Sequence, residues 1–319
     1  MWTAATLWVS VLAAGLAYAL AAAGSVGAGG SPVAWVAAAM LLYACAIAAM
    51  TAVYFALAWI YRSPRPPDVW LGPRQTLRLV WQEFRTLAGA APRMMFYRVL
   101  VPDPASAPVD VPVLLLHGVL CNAGVWHRLA RFLARRGVPG IYSLSYGPPL
   151  ASVELFADQM EAKIDAILAA TGAQRVMIVS HSMGGLVARA YLRRYGSRKL
   201  ARVLTIGAPH HGSVHAWLFF GTALSQLRPG SAWLAALARE PLAPGLRFVS
   251  LWSWHDSMVA PQLSCRLLGA VDMPLAGVGH NALLGDPQVF ARVLEEIEAA
   301  RVPTSGSPAS AARTPSAPP

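Results

Sequence analysis

Three residues follow one another along the chain as a serine, an acid and a histidine: Ser182, Asp256 and His280. A serine hydroxyl is a weak nucleophile, so it needs a base to remove its proton, and the base needs an acid that orients it. Ser182 lies in the stretch VSHSMGG, between a short apolar run and a predicted helix. The pattern predicts nucleophilic attack by Ser182 and a covalent intermediate.

Small residues stand two positions before and two positions after Ser182, which is typical of a sharp strand-to-helix turn where the backbone doubles back. Gly184 provides such a residue after the serine. Ser180 stands two positions before it, where glycine would be expected, and its extra CH₂OH strains the turn without excluding it. The alternative for this stretch is a serine that only caps a helix.

Asp256 and His280 are predicted to stand where strands end, each directly after an apolar run. Two other acids fit less well. Asp272 precedes its run and is expected at the opposite end of the sheet, and Asp286 is better explained as the N-cap of the last helix. Other histidines near the site are candidates for supporting hydrogen bonds: His181, His210, His211 and His255.

The negative charge that develops on an attacked carbonyl oxygen needs two preorganised donors. The first candidate is the backbone N–H of Met183, directly after the nucleophile. The second is the N–H of Val119, in the loop LLLHGVLCN after the first apolar run of the domain. In this loop His117 and Gly118 are expected to support the backbone and not to take part in the chemistry.

Residues 94–302 alternate between apolar runs of strand length and segments of helix length. The predicted strands are 111–118, 140–146, 175–180, 202–209, 246–253 and 273–279, and the predicted helices are 123–136, 152–171, 183–195 and 286–300. Such alternation predicts an α/β fold with a mostly parallel sheet and helices on both faces. Reactive groups then gather beyond the carboxyl ends of the strands.

Residues 1–61 contain no Asp, Glu, Lys, Arg or His. Two apolar runs, 3–23 and 33–60, each exceed or match the roughly 20 residues that cross a bilayer, which predicts a transmembrane hairpin. A cleaved signal peptide is the rival, but its positive leading segment is missing. Arginines follow the second run, so the positive-inside rule predicts a multi-pass membrane protein with a cytoplasmic catalytic domain.

Residues 62–93 are predicted to be a basic amphipathic juxtamembrane segment that lies in the headgroup layer or packs on the domain. Its apolar residues recur at helical spacing within 74–88 and are expected to share one face: Leu77, Val80, Trp81, Phe84, Leu87 and Ala88. The net charge of +11 all lies after residue 61, which favours a membrane over nucleic acid as the partner. Residues 303–319 lack large apolar side chains and are predicted to be a disordered tail.

The motifs LLLHGVLCNAGVW, VSHSMGGLVAR, IGAPHHGS, HDSMVAP and GVGHNALL resemble the α/β-hydrolase superfamily, and within it the bacterial triacylglycerol lipase and esterase branch. The resemblance implies an α/β-hydrolase fold with a mobile helical lid at about 213–245. It also implies a serine ester hydrolase that cleaves lipid or lipophilic esters, and a bacterial inner membrane as the one that the predicted hairpin crosses. We expect no metal or other cofactor. An acyltransferase with the same triad and a non-catalytic membrane scaffold remain alternatives.

Overall fold

The computed structural model describes residues 2–301, and a six-stranded sheet lies at its centre. The strands are β1 Val113–Leu116, β2 Ile141–Leu144, β3 Val176–His181, β4 Leu200–Ile206, β5 Arg247–Ser253 and β6 Val271–Leu275. They are ordered β2-β1-β3-β4-β5-β6, and every neighbouring pair is parallel. The predicted α/β fold class is thereby confirmed.

The helices precede, connect and cover the strands. Their bounds are α1 Trp2–Gly27, α2 Pro32–Ile60, α3 Pro73–Ala88, α4 Ala90–Met95, α5 Tyr97–Leu100, α6 His127–Arg135, α7 Val153–Thr171, α8 Met183–Tyr195, α9 Thr222–Leu227, α10 Ala232–Ala238 and α11 Pro287–Arg301. Helices α7 and α8 contribute to the core on one face of the sheet, and α6 and α11 to the core on the other.

Burial on both faces explains why the strands read as continuous apolar runs. In β1, Leu114 and Leu116 point into one core while Val113 and Leu115 point into the other. Strand β3 is buried along its whole length between β1 and β4. Central strands of a parallel sheet have no solvated face, so polar alternation is absent.

Helices α1 and α2 are both long and apolar enough to cross a membrane, a test that an N-terminal signal sequence would also pass. The domain that contains the sheet contacts the hairpin at one end of the hairpin. The Thr3 hydroxyl donates to the Cys121 carbonyl at 3.0 Å. His215 Nε2 lies 3.1 Å from the Tyr54 carbonyl. The start of α1 and the last turns of α2 are therefore both docked on the domain.

Helix α3 packs on the domain through side chains that the apolar spacing did not indicate. Leu79 and Glu83 are buried, whereas Leu77 and Trp81 of the expected apolar face are exposed. The far end of α3 lies beside α2, where the Tyr43 hydroxyl donates to the Ala88 carbonyl at 2.7 Å. The helix thus connects the hairpin to the domain. The predicted tail at 303–319 lies outside the described residues.

The segment between β4 and β5, predicted as a lid, contains the short helices α9 and α10. Their apolar side chains belong to the same core as α7 and α8: Leu224, Leu227, Leu234 and Leu237. The preceding stretch from Trp217 to Phe220 is exposed and apolar. The segment is therefore a packed cap with an exposed apolar edge, and its mobility stays a prediction.

Candidate active site

Ser182 occupies a strained turn directly between β3 and α8. Its φ of 55° and ψ of −128° are rarely adopted by residues other than glycine. Two glycines allow α8 to approach the sheet so closely. A Cβ on Gly184 would lie 2.7 Å from the Leu116 carbonyl oxygen, and one on Gly185 only 2.4 Å from the Ala208 methyl group. The sequence VSHSMGG therefore folds as the sharp strand-to-helix turn expected of it.

The loop after β1 faces this turn. A Cβ on Gly118 would lie 3.0 Å from Ser182 Cβ, so a larger residue there would press on the serine. Among the described residues, the N–H groups of Val119 and Met183 donate to no oxygen. Met183 begins α8, where the first N–H groups have no partner within the helix. Two unused donors thus flank Ser182.

Asp256 and His280 are joined at the carboxyl end of the sheet. His280 Nδ1 donates to Asp256 Oδ2 at 2.9 Å, and both side chains are buried. The other oxygen, Oδ1, accepts the N–H groups of Met258 at 2.8 Å and Val259 at 2.7 Å. The carboxylate is therefore fixed in place. It holds the proton on Nδ1, which leaves Nε2 of His280 free to accept one.

Contacts through β4 link Ser182 to this pair. The Ser182 N–H donates to the Ile206 carbonyl at 2.9 Å. The next residue, Gly207, has φ 58°, and a Cβ there would lie 3.2 Å from Asp256 Oδ2 and 3.3 Å from His280 Nδ1. No hydrogen bond joins Ser182 to His280 in residues 2–301. Such bonds are often long before substrate binds.

The electrostatic environment raises the pKa of His280. Burial is the largest influence and opposes the charged ring, but the Asp256 charge, its hydrogen bond and the Glu83 charge together outweigh burial. The ring also faces two other histidines, His181 at 4.6 Å between ring centroids and, more remotely, His215. The net result favours the imidazolium that forms when His280 takes a proton.

A raised His280 pKa predicts the acid limb of the pH–rate profile. A base must be neutral to accept a proton, so activity is lost as the pH falls through this pKa, which lies above the ordinary 6.5. Below that pH we expect kcat/KM for a soluble ester to fall as a single group, His280, takes up one proton. The loss should be reversed when the pH is raised again. Rates measured from pH 5 to 9, with recovery on return to pH 8, check it. An acid limb below pH 6 would contradict the expectation.

The other histidines are held in supporting positions. His117 is buried, its Nδ1 lies 2.7 Å from the Gly118 carbonyl, and its ring stacks on Tyr146. Burial lowers the pKa of His117 to about 4, so the ring is neutral at pH 7. His181 Nε2 lies 3.2 Å from the His280 carbonyl. These contacts fit the expected support of the loop and the base.

The remaining candidate histidines form hydrogen bonds to groups other than Ser182, Asp256 and His280. His210 contacts the Thr205 hydroxyl at 3.2 Å, and His255 Nδ1 accepts the Gly277 N–H at 3.0 Å. The backbone N–H of His211 donates to the hydroxyl of Ser264 at 3.2 Å.

Asp272 and Asp286, the two alternative acids, form hydrogen bonds with groups other than His280. Asp272 lies within β6 and accepts the Trp252 indole N–H at 2.6 Å. Asp286 accepts the Gln288 N–H at 2.8 Å in front of α11, as an N-cap does.

Sequence reasoning missed Glu83, a fully buried carboxylate of α3. It accepts hydrogen bonds from the Ser257 hydroxyl at 2.6 Å, from the Asn281 N–H at 3.0 Å and from the Ala282 N–H at 2.9 Å. These residues belong to the loops that carry Asp256 and His280. The one available signal was a lone acid in a helix whose other charged residues are arginines.

Ser180 lies fully buried in β3, and its hydroxyl donates to the Leu204 carbonyl at a long 3.4 Å. We expect Ser180→Gly to keep or raise esterase activity, because it removes only this weak bond and relaxes the turn. It should destabilise the strand by about 0.5–1 kcal/mol. Initial rates and thermal melts check this. A large loss of activity with folding intact would give the Ser180 hydroxyl a role of its own.

Comparison with known proteins points to one fold family. A family model described as "alpha/beta hydrolase fold" matches residues 111–264. The triacylglycerol lipase of Burkholderia plantarii is 32% identical over 143 residues, which are 41% of this chain and 38% of that protein. The triacylglycerol lipase of Vibrio cholerae is 31% identical over 115 residues, which are 34% of this chain and 36% of that protein. The chain thus aligns to well under half the length of these relatives.

Solved structures agree on the fold. The mature lipase of Bacillus licheniformis superposes with a TM-score of 0.51 at 19% identity, covering 61% of this chain and 95% of that one. Lipase B of Aspergillus fumigatus superposes with a TM-score of 0.52 at 19% identity, covering 59% of this chain and 52% of that one. The family-model match, the parallel sheet and these superpositions together show an α/β-hydrolase fold, and the chain is similar to lipases and esterases with that fold.

Proposed function

We propose that the chain is a membrane-anchored serine ester hydrolase that cleaves lipid or lipophilic esters through an acyl-serine intermediate. One observation carries the proposal. The Asp256–His280 hydrogen bond lies at the same edge of the sheet as Ser182, which occupies a strained strand-to-helix turn. A serine that only capped α8 would need neither the strain nor a buried acid–histidine pair beside it.

The proposed reaction proceeds in two halves. Ser182 Oγ attacks the ester carbonyl while His280 Nε2 takes the hydroxyl proton, and the N–H groups of Val119 and Met183 stabilise the oxyanion. His280 then returns the proton to the departing alcohol, which leaves the acyl group on Ser182. Water attacks this acyl-enzyme and loses its proton to His280, which passes that proton to Ser182 Oγ as the acyl–Oγ bond breaks and the acid is released. Asp256 orients the imidazole throughout.

The apolar surroundings support a lipophilic substrate. The exposed Trp217–Phe220 edge lies in the cap that follows β4, and neighbouring His215 contacts α2. With α1 and α2 crossing the bacterial inner membrane, this edge would lie near the bilayer surface, where lipid esters are found. The curated relatives named above are triacylglycerol lipases. Retention of the chain in carbonate-washed membranes tests the anchoring, and release into the wash would contradict it.

An alcohol in place of water at the second step would make the same site an acyltransferase. A non-catalytic scaffold is the other alternative, and only the departure at Ser180 favours it. Adding a long-chain alcohol to the assay separates the first two activities, because a transferase releases a new ester and a hydrolase releases the acid.

Covalent labelling tests the proposed nucleophile directly. A fluorophosphonate probe should modify the full chain, and peptide mapping should place the adduct on Ser182. Hydrolysis of p-nitrophenyl esters with short to long acyl chains should then define the preferred chain length. Absence of labelling in folded protein, or an adduct on another residue, would overturn the assignment and favour the scaffold.

A further inference from the structure

Glu83 lies beside the loop that carries His280, although it belongs to the helix that follows the apolar hairpin. A Cβ on Gly279 would lie 2.6 Å from Glu83 Oε2, so this glycine permits the close approach. On the other side of the histidine, Glu83 accepts the N–H groups of Asn281 and Ala282. Asn281 Nδ2 donates to it as well, at 2.9 Å. The carboxylate therefore contacts the backbone on both sides of His280.

The same carboxylate reaches the loop that carries the acid. Glu83 Oε1 accepts the Ser257 hydroxyl at 2.6 Å, and that hydroxyl oxygen accepts the His280 N–H at 3.3 Å. Ser257 directly follows Asp256 in the chain. One side chain of α3 thus ties the loop after β5 to the loop after β6.

A buried carboxylate is costly unless it is paired or fully hydrogen-bonded. Glu83 forms no ion pair with a basic side chain in residues 2–301, although its hydrogen bonds satisfy both oxygens. The nearby group that becomes positive during the proposed reaction is the His280 imidazole. A negative charge held there stabilises the imidazolium and so acts in the same direction as Asp256.

We infer that Glu83 is a positioning residue of the active site, which fixes the His280 loop against the Asp256 loop and places a second negative charge near the imidazole. The inference rests on the proposed function, since it concerns the same base. It makes the juxtamembrane helix a part of the catalytic apparatus.

Glu83→Gln tests the role, because it removes the charge and keeps the shape. We expect kcat for a soluble ester to fall by about tenfold to a hundredfold, the effect of a small misplacement, with KM little changed. The acid limb should move to lower pH, because one charge that raises the His280 pKa is gone. Glu83→Asp keeps the charge and should leave the acid limb nearer its original position.

Glu298→Gln is the matched control, because Glu298 is an exposed acid of α11, and it should change neither kcat nor the acid limb. A Gln variant of Glu83 with unaltered kcat and acid limb would overturn the inference. So would a lower kcat that accompanies a lower melting temperature with the acid limb unmoved, since that describes a structural role alone. Inactivity of the unmodified protein would instead contradict the proposed function.

A separate observation concerns a crevice of about 1160 Å³ between the last turns of α2 and the first turns of α3. Its helix-facing walls are apolar and include Phe55, Trp59 and Leu79. Two cations, Arg62 and Arg65, line it where the chain leaves α2. The cleft lies at the end of a membrane-length helix and is complementary to a phospholipid. Its apolar walls suit an acyl chain, and its cations suit the phosphate.

The cations are not neutralised within the described residues. Arg65 Nε is buried and has no hydrogen-bond acceptor there. Burial, followed by the charge of Arg62, lowers the Arg65 pKa. Arg62 stacks on Trp59 and donates to its carbonyl at 2.9 Å, which leaves its charge unpaired. Asp256 also lines the crevice, but its carboxylate oxygens are occupied by His280, Met258 and Val259.

We propose that this crevice binds an anionic phospholipid, with the phosphate at Arg62 and Arg65 and an acyl chain along α2. It rests on the membrane placement proposed above and is separate from the reaction at Ser182. Full-length protein delipidated in detergent is mixed with phosphatidylglycerol or phosphatidylcholine, and bound lipid is counted by native mass spectrometry.

Phosphatidylglycerol should bind to the unmodified protein. The Arg62→Gln/Arg65→Gln double variant should bind none. Arg74→Gln/Arg78→Gln removes the same charge from exposed positions of α3 and should retain the lipid. Equal retention by both double variants would overturn the proposal, as would equal binding of phosphatidylcholine. Displacement of the lipid by millimolar inorganic phosphate alone would show a phosphate site and would equally contradict it.

Discussion

Replacing Ser182 with alanine is expected to lower kcat for ester hydrolysis by about six orders of magnitude. The Oγ that forms the acyl bond is removed, whereas the turn is kept, because alanine meets the same backbone strain at φ 55°. Fluorophosphonate labelling should vanish together with hydrolysis. Initial rates with a p-nitrophenyl ester and circular dichroism of the variant measure both parts.

Ser225→Ala provides the control for this substitution. Ser225 lies in α9, and its exposed hydroxyl donates to the Thr222 carbonyl of the same helix. That variant should keep full activity and full labelling. Residual labelling of Ser182→Ala, or hydrolysis within tenfold of the unmodified protein, would mean that another residue is the nucleophile.

Replacing Asp256 with asparagine is expected to lower kcat by about four orders of magnitude. The Oδ1 atom can still accept the Met258 and Val259 N–H groups, so the loop keeps its shape. The amide N–H₂ then faces His280 Nδ1, which must become an acceptor. The proton moves to Nε2, and the ring can no longer take one from Ser182.

Asp272→Asn is the control. It shows whether replacing a hydrogen-bonded aspartate elsewhere in the domain lowers the rate as well. Asp272 accepts the Trp252 indole N–H and pairs with Arg266, and it has no contact with the histidine. We expect its kcat to stay close to that of the unmodified protein. Equal losses in the two variants would show that general destabilisation, and not the tautomer of His280, limits the rate.

The sequence predicted the order of strands and helices well where both faces of a strand are buried. Strand β3 was expected at 175–180 and lies at Val176–His181. At the sheet edge the apolar pattern was less informative. The last strand was expected at 273–279, but β6 ends at Leu275, and Gly277 takes a φ of 74°. Edge residues are partly exposed, so loop and strand have similar composition there.

Glu83 could not be identified in the same way, because its role depends on how α3 packs against the loops that carry Asp256 and His280. It is about 200 positions from the Asn281 and Ala282 groups that it binds. Local spacing assigned α3 an apolar face, yet that face includes the exposed Leu77 and Trp81. A tertiary contact decided which side of the helix is buried. Residue types and chain order predicted the Ser182–Asp256–His280 grouping, whereas this fourth group required the folded chain.

Docking of both ends of the hairpin on the domain has a kinetic consequence. Thr3 fastens the start of α1, and Tyr54 fastens the end of α2. If these helices cross a bilayer as proposed, the domain keeps one tilt to the membrane normal and does not swing on a tether. Such an enzyme searches for substrate in two dimensions. Its velocity then follows the mole fraction of ester in the bilayer, and diluting the vesicles in buffer leaves turnover unchanged.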